Sequence, residues 1–233
     1  MARANHAPGA YRNHLLSRLS PEVLQQLAPQ PVDLPVNLVL YEPNHEIEYA
    51  YFPEEGAVSV IAMMEDGNSI EVGTIGREGM ACSALLLEIQ SVPYRYFIQV
   101  AGHGHRVGAT TLTAAAEASK PLRHVVLRFE ALFRAQTMQG MACNGLHNIE
   151  QRCCRWILMT RDRVDSDEIK LTHEFLALML GVRRSSVSEV LAPLQEQGLI
   201  QSNRGTITIL NRQGLEARAC ECYGIMVKRE REA

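Results

Sequence analysis

With 233 residues, 46% of them hydrophobic and 21% charged, the chain has the bulk and balance of one large or two ordinary globular domains, which excludes disorder as its default state. No apolar run approaches the ~18 to 20 residues of a membrane span, and the opening MARANHAPGAYRNH lacks the apolar core of a signal peptide, so the expectation is a cytoplasmic protein without membrane contact. The net charge of −3 divides unevenly: residues 1 to 147 carry 10 basic and 14 acidic side chains, residues 148 to 233 carry 13 and 12. An acidic total therefore does not exclude a local basic face that meets phosphates.

In chain order, SPEVLQQL supplies Ser20 as an N-cap, Pro21 at the first helical position and Glu22 in the first turn, and predicts a short helix. From Pro31 to about Gly108 the texture becomes β-rich: VNLVLYEP, AYFPEEGAVSVIAMM, SIEVGTIG and YRYFIQVAG are short, partly alternating and separated by turn residues. Asp66-Gly67 between two such runs signals a hairpin. This part reads as a β-roll or sandwich.

After Val107 the apolar spacing turns helical, with Val125, Val126, Phe129, Leu132 and Phe133, then Leu146, Ile149, Cys153, Trp156 and Ile157. The middle, AQTMQGMACNGLHN, is rich in Met, Ala and Gly. It reads either as a close helix contact between subunits or as a connection frayed at Gly140 and Gly145, since each glycine costs a helix up to ~1 kcal/mol. RVDSDEIK follows as a polar link.

THEFLALML has Thr172 as N-cap and Glu174 in the first turn, and Gly181 ends that helix. A second helix begins near Arg184, with Val187, Val190, Leu191 and Leu194 at i, i+3, i+4 and i+7. Two short helices around a glycine turn are a helix-turn-helix. The opposite face carries Arg184, Ser185, Ser188 and Glu189, with Arg183 and Ser186 beside them, side chains able to read base edges or hold phosphates. Pro193 predicts a bend near the last turn of that helix. QGLIQSNRGTITIL then gives a strand, a turn at Asn203 to Gly205 and an alternating strand, a wing that puts Arg204 at its tip near a phosphate.

The segment IKLTHEFLALMLGVRRSSVSEVLAPLQEQGLIQSNRGTITI, residues 169 to 209, resembles the DNA-binding domain of the Crp/Fnr family of bacterial transcription regulators, and the order of β-roll, long helix and winged helix extends the resemblance over nearly the whole chain. The resemblance implies an α+β fold with a jelly-roll-like sensory β-roll over residues 1 to 118, a central dimerisation helix over 119 to 147 and a winged helix-turn-helix over 148 to 233. It also implies a homodimer on palindromic double-stranded DNA, RNA polymerase as a partner, and a small-molecule effector of unidentified nature. Arg184 matches the family's base-reading arginine, Ser185 and Glu189 fall on two further reading positions, and Ser188 matches a serine of the Fnr branch. Because Ser185 and Glu189 replace the familiar glutamate and later arginine, the operator should differ from the palindromes of either branch.

Cyclic-nucleotide binders of this family carry Gly-Glu followed shortly by Arg-Ser/Thr-Ala, so that an arginine neutralises the phosphate and backbone amides bind its oxygens. Here GTIGREGM splits Gly76 from Glu78 by Arg77, and the next arginine, Arg95, is followed by Tyr96-Phe97. Gly76, Glu78, Gly79 and Arg95 are thus a candidate pocket with a broken phosphate pattern, and the GREGM segment reads chiefly as a packed turn. The six cysteines, Cys82, Cys143, Cys153, Cys154, Cys220 and Cys222, form no CxxC pairs and suit reduced thiols. Iron–sulfur members of the family carry their cysteines near the amino terminus, whereas the first one here is Cys82. Cys220 and Cys222, two apart on a predicted helix, should diverge as packed thiols. The sequence thus implies neither cofactor nor metal. Two rival readings are a cupin-type metal enzyme on His103 and His105, which lacks the following glutamate, and a ligand-binding β-roll module, which leaves Arg183 and Arg184 without a role.

Overall fold

The computed structural model describes residues 11 to 232, so the first part of the segment read for a signal peptide lies outside the described residues. The fold is α+β. Helix α1 (Pro21–Leu27) starts where Ser20 Oγ accepts the Val23 backbone N–H. Strands β1 (Gln30–Leu34), β2 (Val39–Tyr41), β3 (Tyr49–Pro53), β4 (Ala57–Met63), β5 (Ser69–Ile75), β6 (Arg95–Val100) and β7 (Gly102–Gly108) make two antiparallel sheets, ordered β1-β7-β3 and β2-β6-β4-β5. The β4–β5 hairpin closes at Asp66-Gly67, where Gly67 takes a φ of +85° and Asp66 Oδ1 accepts the Asn68 N–H. Leu34, Phe52, Val58, Ile75, Ile98 and Val107 fill the space between the sheets.

Helix α2 (Ala109–Ala118) leads into α3 (Lys120–Leu146), whose Leu122, Val126 and Phe129 complete the first core. The frayed alternative at Gly140 and Gly145 is not realised, because α3 runs unbroken through both. The break falls at His147-Asn148, where Asn148 and Gln151 form a reciprocal capping box that starts α4 (Ile149–Val164). The polar link after α4 contains a strand, β8 (Glu168–Lys170), which the sequence reading passed over because only Ile169 in it is apolar. Helices α5 (His173–Leu180) and α6 (Arg184–Glu196) follow, with Gly181 at φ +63° between them, and α6 continues through Pro193. Strands β9 (Ile200–Asn203) and β10 (Thr206–Ile209) join β8 in a sheet ordered β8-β10-β9.

Helices α7 (Arg212–Arg218) and α8 (Cys222–Glu232) end the described chain, and α8 folds back along α3, with Arg128 Nη2 donating to the Glu232 carbonyl at 3.0 Å. The expected divergence of Cys220 and Cys222 is corrected here. Only Cys222 belongs to a helix, and Cys220 sits on the corner before it, so the two thiols converge. Among the described residues, no helix is long and apolar enough to cross a membrane.

Candidate DNA interface

Trp156 and Ile157 of α4, Leu176 and Leu180 of α5, Val187, Leu191 and Leu194 of α6, and Ile200, Ile207 and Ile209 of the wing share one core. That burial fixes which way α6 faces. Arg184, Ser185, Ser188 and Glu189 are exposed on its other side, with Arg183 at its N-cap and Ser186 half-buried. At the wing tip, Arg204 and Gly205 both take positive φ (44° and 83°), a pair of conformations suited to a two-residue hairpin turn, and Arg204 is exposed.

Five contacts that no spacing rule announces hold these parts in place. His173, the first residue of α5, bridges α6 and the wing, with Nδ1 3.0 Å from Ser188 Oγ and Nε2 3.0 Å from Ser202 Oγ. Gln195 Oε1 accepts the Ser202 backbone N–H at 2.7 Å, and Gly205 O accepts the Leu171 N–H at 2.7 Å. Arg184 Nε lies 2.6 Å from Glu174 Oε1, an exposed pair that joins the start of α6 to the first turn of α5. In each contact the two partners come from separate elements, so sequence periodicity could not join them. The hydroxyl of Ser188 is already engaged in the free protein.

The roll-side candidates are not gathered together. Arg95 pairs with Ile61 on β4 and reaches Glu42 at 3.2 Å, whereas the turn with Gly76, Glu78 and Gly79 follows Ile75, which pairs with Val58. That turn packs against helices. A Cβ on Gly79 would overlap the Phe129 ring of α3, and one on Gly76 would meet the side chain of Arg163 in α4. Glu78 Oε1 accepts from the Gly76 N–H at 3.0 Å and from Arg163 Nη2 at 2.6 Å, and both charged side chains are buried. His103 is exposed near Glu55, while His105 is buried beside Glu54.

The winged-helix body also docks on the roll. Phe175 meets Phe97 edge-on at 5.8 Å, and Trp156 Nε1 donates to the half-buried Glu71 carboxylate at 2.9 Å. Burial, offset in part by hydrogen bonds from Ser59 and Trp156, raises the Glu71 carboxyl above its ordinary range. Between β5, α3 and α4 lies a cavity of about 190 Å³ whose lining includes Glu71, Gly140, Met141, Arg155 and Met179.

Residues 151–218 match the Crp-like helix-turn-helix domain. No curated protein sequence matches the chain. Among solved structures, the chain is similar to a transcriptional regulator of the Crp/Fnr family from Eubacterium rectale (17% identity, 88% of this chain and 97% of that one, TM-score 0.69). It is also similar to a CRP-family transcriptional regulator from Thermus thermophilus (22%, 81% and 96%, 0.68) and to FixK2 from Bradyrhizobium japonicum (17%, 82% and 98%, 0.67). At these identities the likeness is one of fold.

Proposed function

We propose that this chain, a transcription regulator of the Crp/Fnr type, works as a homodimer that reads a palindromic operator through the exposed start of α6, with the wing on the flanking backbone. The observation that carries the reading is the division of α6 into a buried face of Val187, Leu191 and Leu194 and an open face of Arg184, Ser185, Ser188 and Glu189 at its amino-terminal end. Arginine grips guanine O6 and N7 bidentately, and glutamate accepts from cytosine N4. Arg183, Ser186 and Arg204 surround that face as phosphate contacts.

Dimerisation is assigned to α3. Leu127, Ala131, Met138, Met141 and Gly145 are exposed and recur at i, i+4, i+11, i+14 and i+18, interrupted by Arg134 at i+7. This is the seam spacing of a helix pair, and its small residues allow close approach. The domains divide as roll over 1 to 118, seam helix over 119 to 147 and DNA-reading domain over 148 to 233. The cavity between β5, α3 and α4 adjoins the seam at Gly140 and Met141, which makes it the place for a small-molecule effector to bias the pairing. Contact with RNA polymerase follows from the regulatory role.

Selection of bound sequences from random DNA tests the reading. The expected product is an inverted repeat with half-sites about one helical turn, roughly 34 Å, apart. Enrichment of an asymmetric site, or of no sequence, would refute it.

A further inference from the structure

The corner between α7 and α8 meets the carboxy-terminal end of α3, and the side chains there form a small cluster apart from the two main cores. Cys143 lies in the last turn of α3, and His147 is the C-cap residue that follows it, its backbone N–H donating to the Cys143 carbonyl at 3.1 Å, which keeps the two side chains together. Cys220 and Cys222 come from the corner that the chain reaches some 75 residues later. One donor atom from each of these four residues lies within 4.8 Å of every other.

We propose that Cys143, His147, Cys220 and Cys222 form a tetrahedral binding site for a single zinc-class divalent ion, which clamps the carboxy-terminal helix to the end of the seam helix. The donor set, three thiolates and one imidazole, is that of a closed structural zinc site. With Zn–S near 2.3 Å and Zn–N near 2.0 to 2.1 Å, a tetrahedron has S···S edges of about 3.8 Å and S···N edges of about 3.6 Å. Cys143 Sγ stands 3.4 Å from Cys220 Sγ, and Cys222 Sγ 3.7 Å from His147 Nδ1, both within a few tenths of an ångström of those edges, and no pair in the cage exceeds 4.8 Å, so side-chain movements of up to about 1 Å would close it on an ion.

The surroundings agree with this assignment. His147 turns Nδ1 to the thiols and Nε2 outward, 4.0 Å from the exposed Glu221 carboxylate, which a small rotation would bring within hydrogen-bond reach of the outer N–H of a metal-bound imidazole. Gln139 Nε2 donates to Cys222 Sγ at 3.2 Å, a hydrogen bond that favours the thiolate. Cys143, Cys220 and Cys222 are buried and His147 is half-buried, so the cage is shielded from solvent. A disulfide would use two of the thiols and leave the third and the imidazole unexplained. An iron–sulfur cluster attaches its ligands to different irons and needs them farther apart than this cage holds them.

Because α3 ends at Leu146 and the capping box of α4 starts at Asn148, the ion would sit on the joint between the seam helix and the DNA-reading domain. Coordination deprotonates three thiols and releases their protons, so occupancy should fall in acid. The inference stands on the cage alone, independent of operator reading.

The test uses the full-length, untagged protein purified under reductant, with metal content by mass spectrometry and Co2+ as the spectroscopic probe. The expected result is one Zn2+ per chain, at least a tenfold drop in metal content for Cys143→Ser and for Cys222→Ser, and full retention in Cys154→Ser. Co2+ loaded into metal-free protein should give tetrahedral ligand-field bands and thiolate-to-cobalt charge transfer, with one Co2+ bound per chain at saturation. Since the serine variants could misfold, the Co2+ spectrum and the metal stoichiometry of the wild type decide by themselves. A Co2+ spectrum without thiolate charge transfer, a Cys143–Cys220 disulfide in the reduced preparation, or a cluster carrying iron and sulfide would each overturn the proposal.

Discussion

Arg163 and Glu78 face each other across the boundary between the roll and α4, with Nη2 at 2.6 Å and Nε at 3.0 Å from the same carboxylate oxygen and both side chains buried. The pair locks the GREGM turn to the DNA-reading half of the chain. Removing one partner strands a buried charge, so Arg163→Ala should lower unfolding stability by ~3 to 5 kcal/mol, whereas replacing both by apolar residues of similar volume should cost far less. Urea denaturation of the single and double variants measures the difference. A single-variant loss below ~1 kcal/mol would show that the pair is solvated and does not hold the halves together.

Much of the architecture follows from local rules that the chain obeys at separate points. Ser20-Pro21, Asp66-Gly67, Thr172 and Gly181 each mark a boundary through a conformation or cap that few residues supply, and the structure places helix starts and turns at those positions. The open face of α6 was legible for the same reason, since i, i+3, i+4 spacing divides a helix into two faces whatever it packs against. What stayed hidden is long-range. Arg163 with Glu78, His173 with Ser188 and Ser202, and Cys143 with Cys220 join elements between 15 and 85 residues apart. The strand Glu168–Lys170 was missed because one apolar residue carries no period.

Glu230 of α8 faces the same Arg163 and Glu78. Burial first, then the charge of Glu78, push its carboxyl up to about 7 from an ordinary 4.5, with Arg163 opposing and Asp162 and Arg77 also in range. Between those values the unfolded chain binds fewer protons than the folded one, so stability falls as pH rises through the window and the full cost is present above about 7. The difference in unfolding free energy between wild type and Glu230→Gln should shift in favour of the variant by on the order of 2 kcal/mol from pH 5 to pH 8. Parallel pH profiles would place the Glu230 carboxylate in water.

Met141 is 73% exposed on α3, in line with Leu127, Ala131 and Met138. If a second copy covers this stripe, Met141→Glu places a charge in the seam and should give monomers in sedimentation at micromolar concentration. An undiminished dimer would move the contact elsewhere. Cyclic AMP should bind weakly if at all, since Arg95 stands apart from the GREGM turn, so calorimetry should show no micromolar affinity that Arg95→Ala abolishes.

On the proposed reading, α6 and the wing should make separable contributions to operator binding. Arg184 is paired with Glu174 at the exposed start of α6, from which a guanidinium would reach a base edge in the proposed complex, while Arg204 sits at the tip of the wing proposed to lie on the phosphate backbone. Arg184→Ala should cost ~1 to 3 kcal/mol on the selected operator and relax preference at one base pair of each half-site. Arg204→Ala should weaken all sequences alike and reduce the slope of log affinity against log salt by about one per chain. Ser188→Ala should fall between these, because its hydroxyl also meets His173, which ties α6 to the wing through Ser202. His173→Ala should then reproduce the part of the Ser188 effect that comes from a loosened wing, without changing base preference. Binding of the four variants to operator and scrambled DNA at several salt concentrations separates the roles. If Arg184→Ala kept the wild-type sequence preference and lost only salt-dependent affinity, α6 would be gripping the backbone, and the base contacts would have to come from another part of its face.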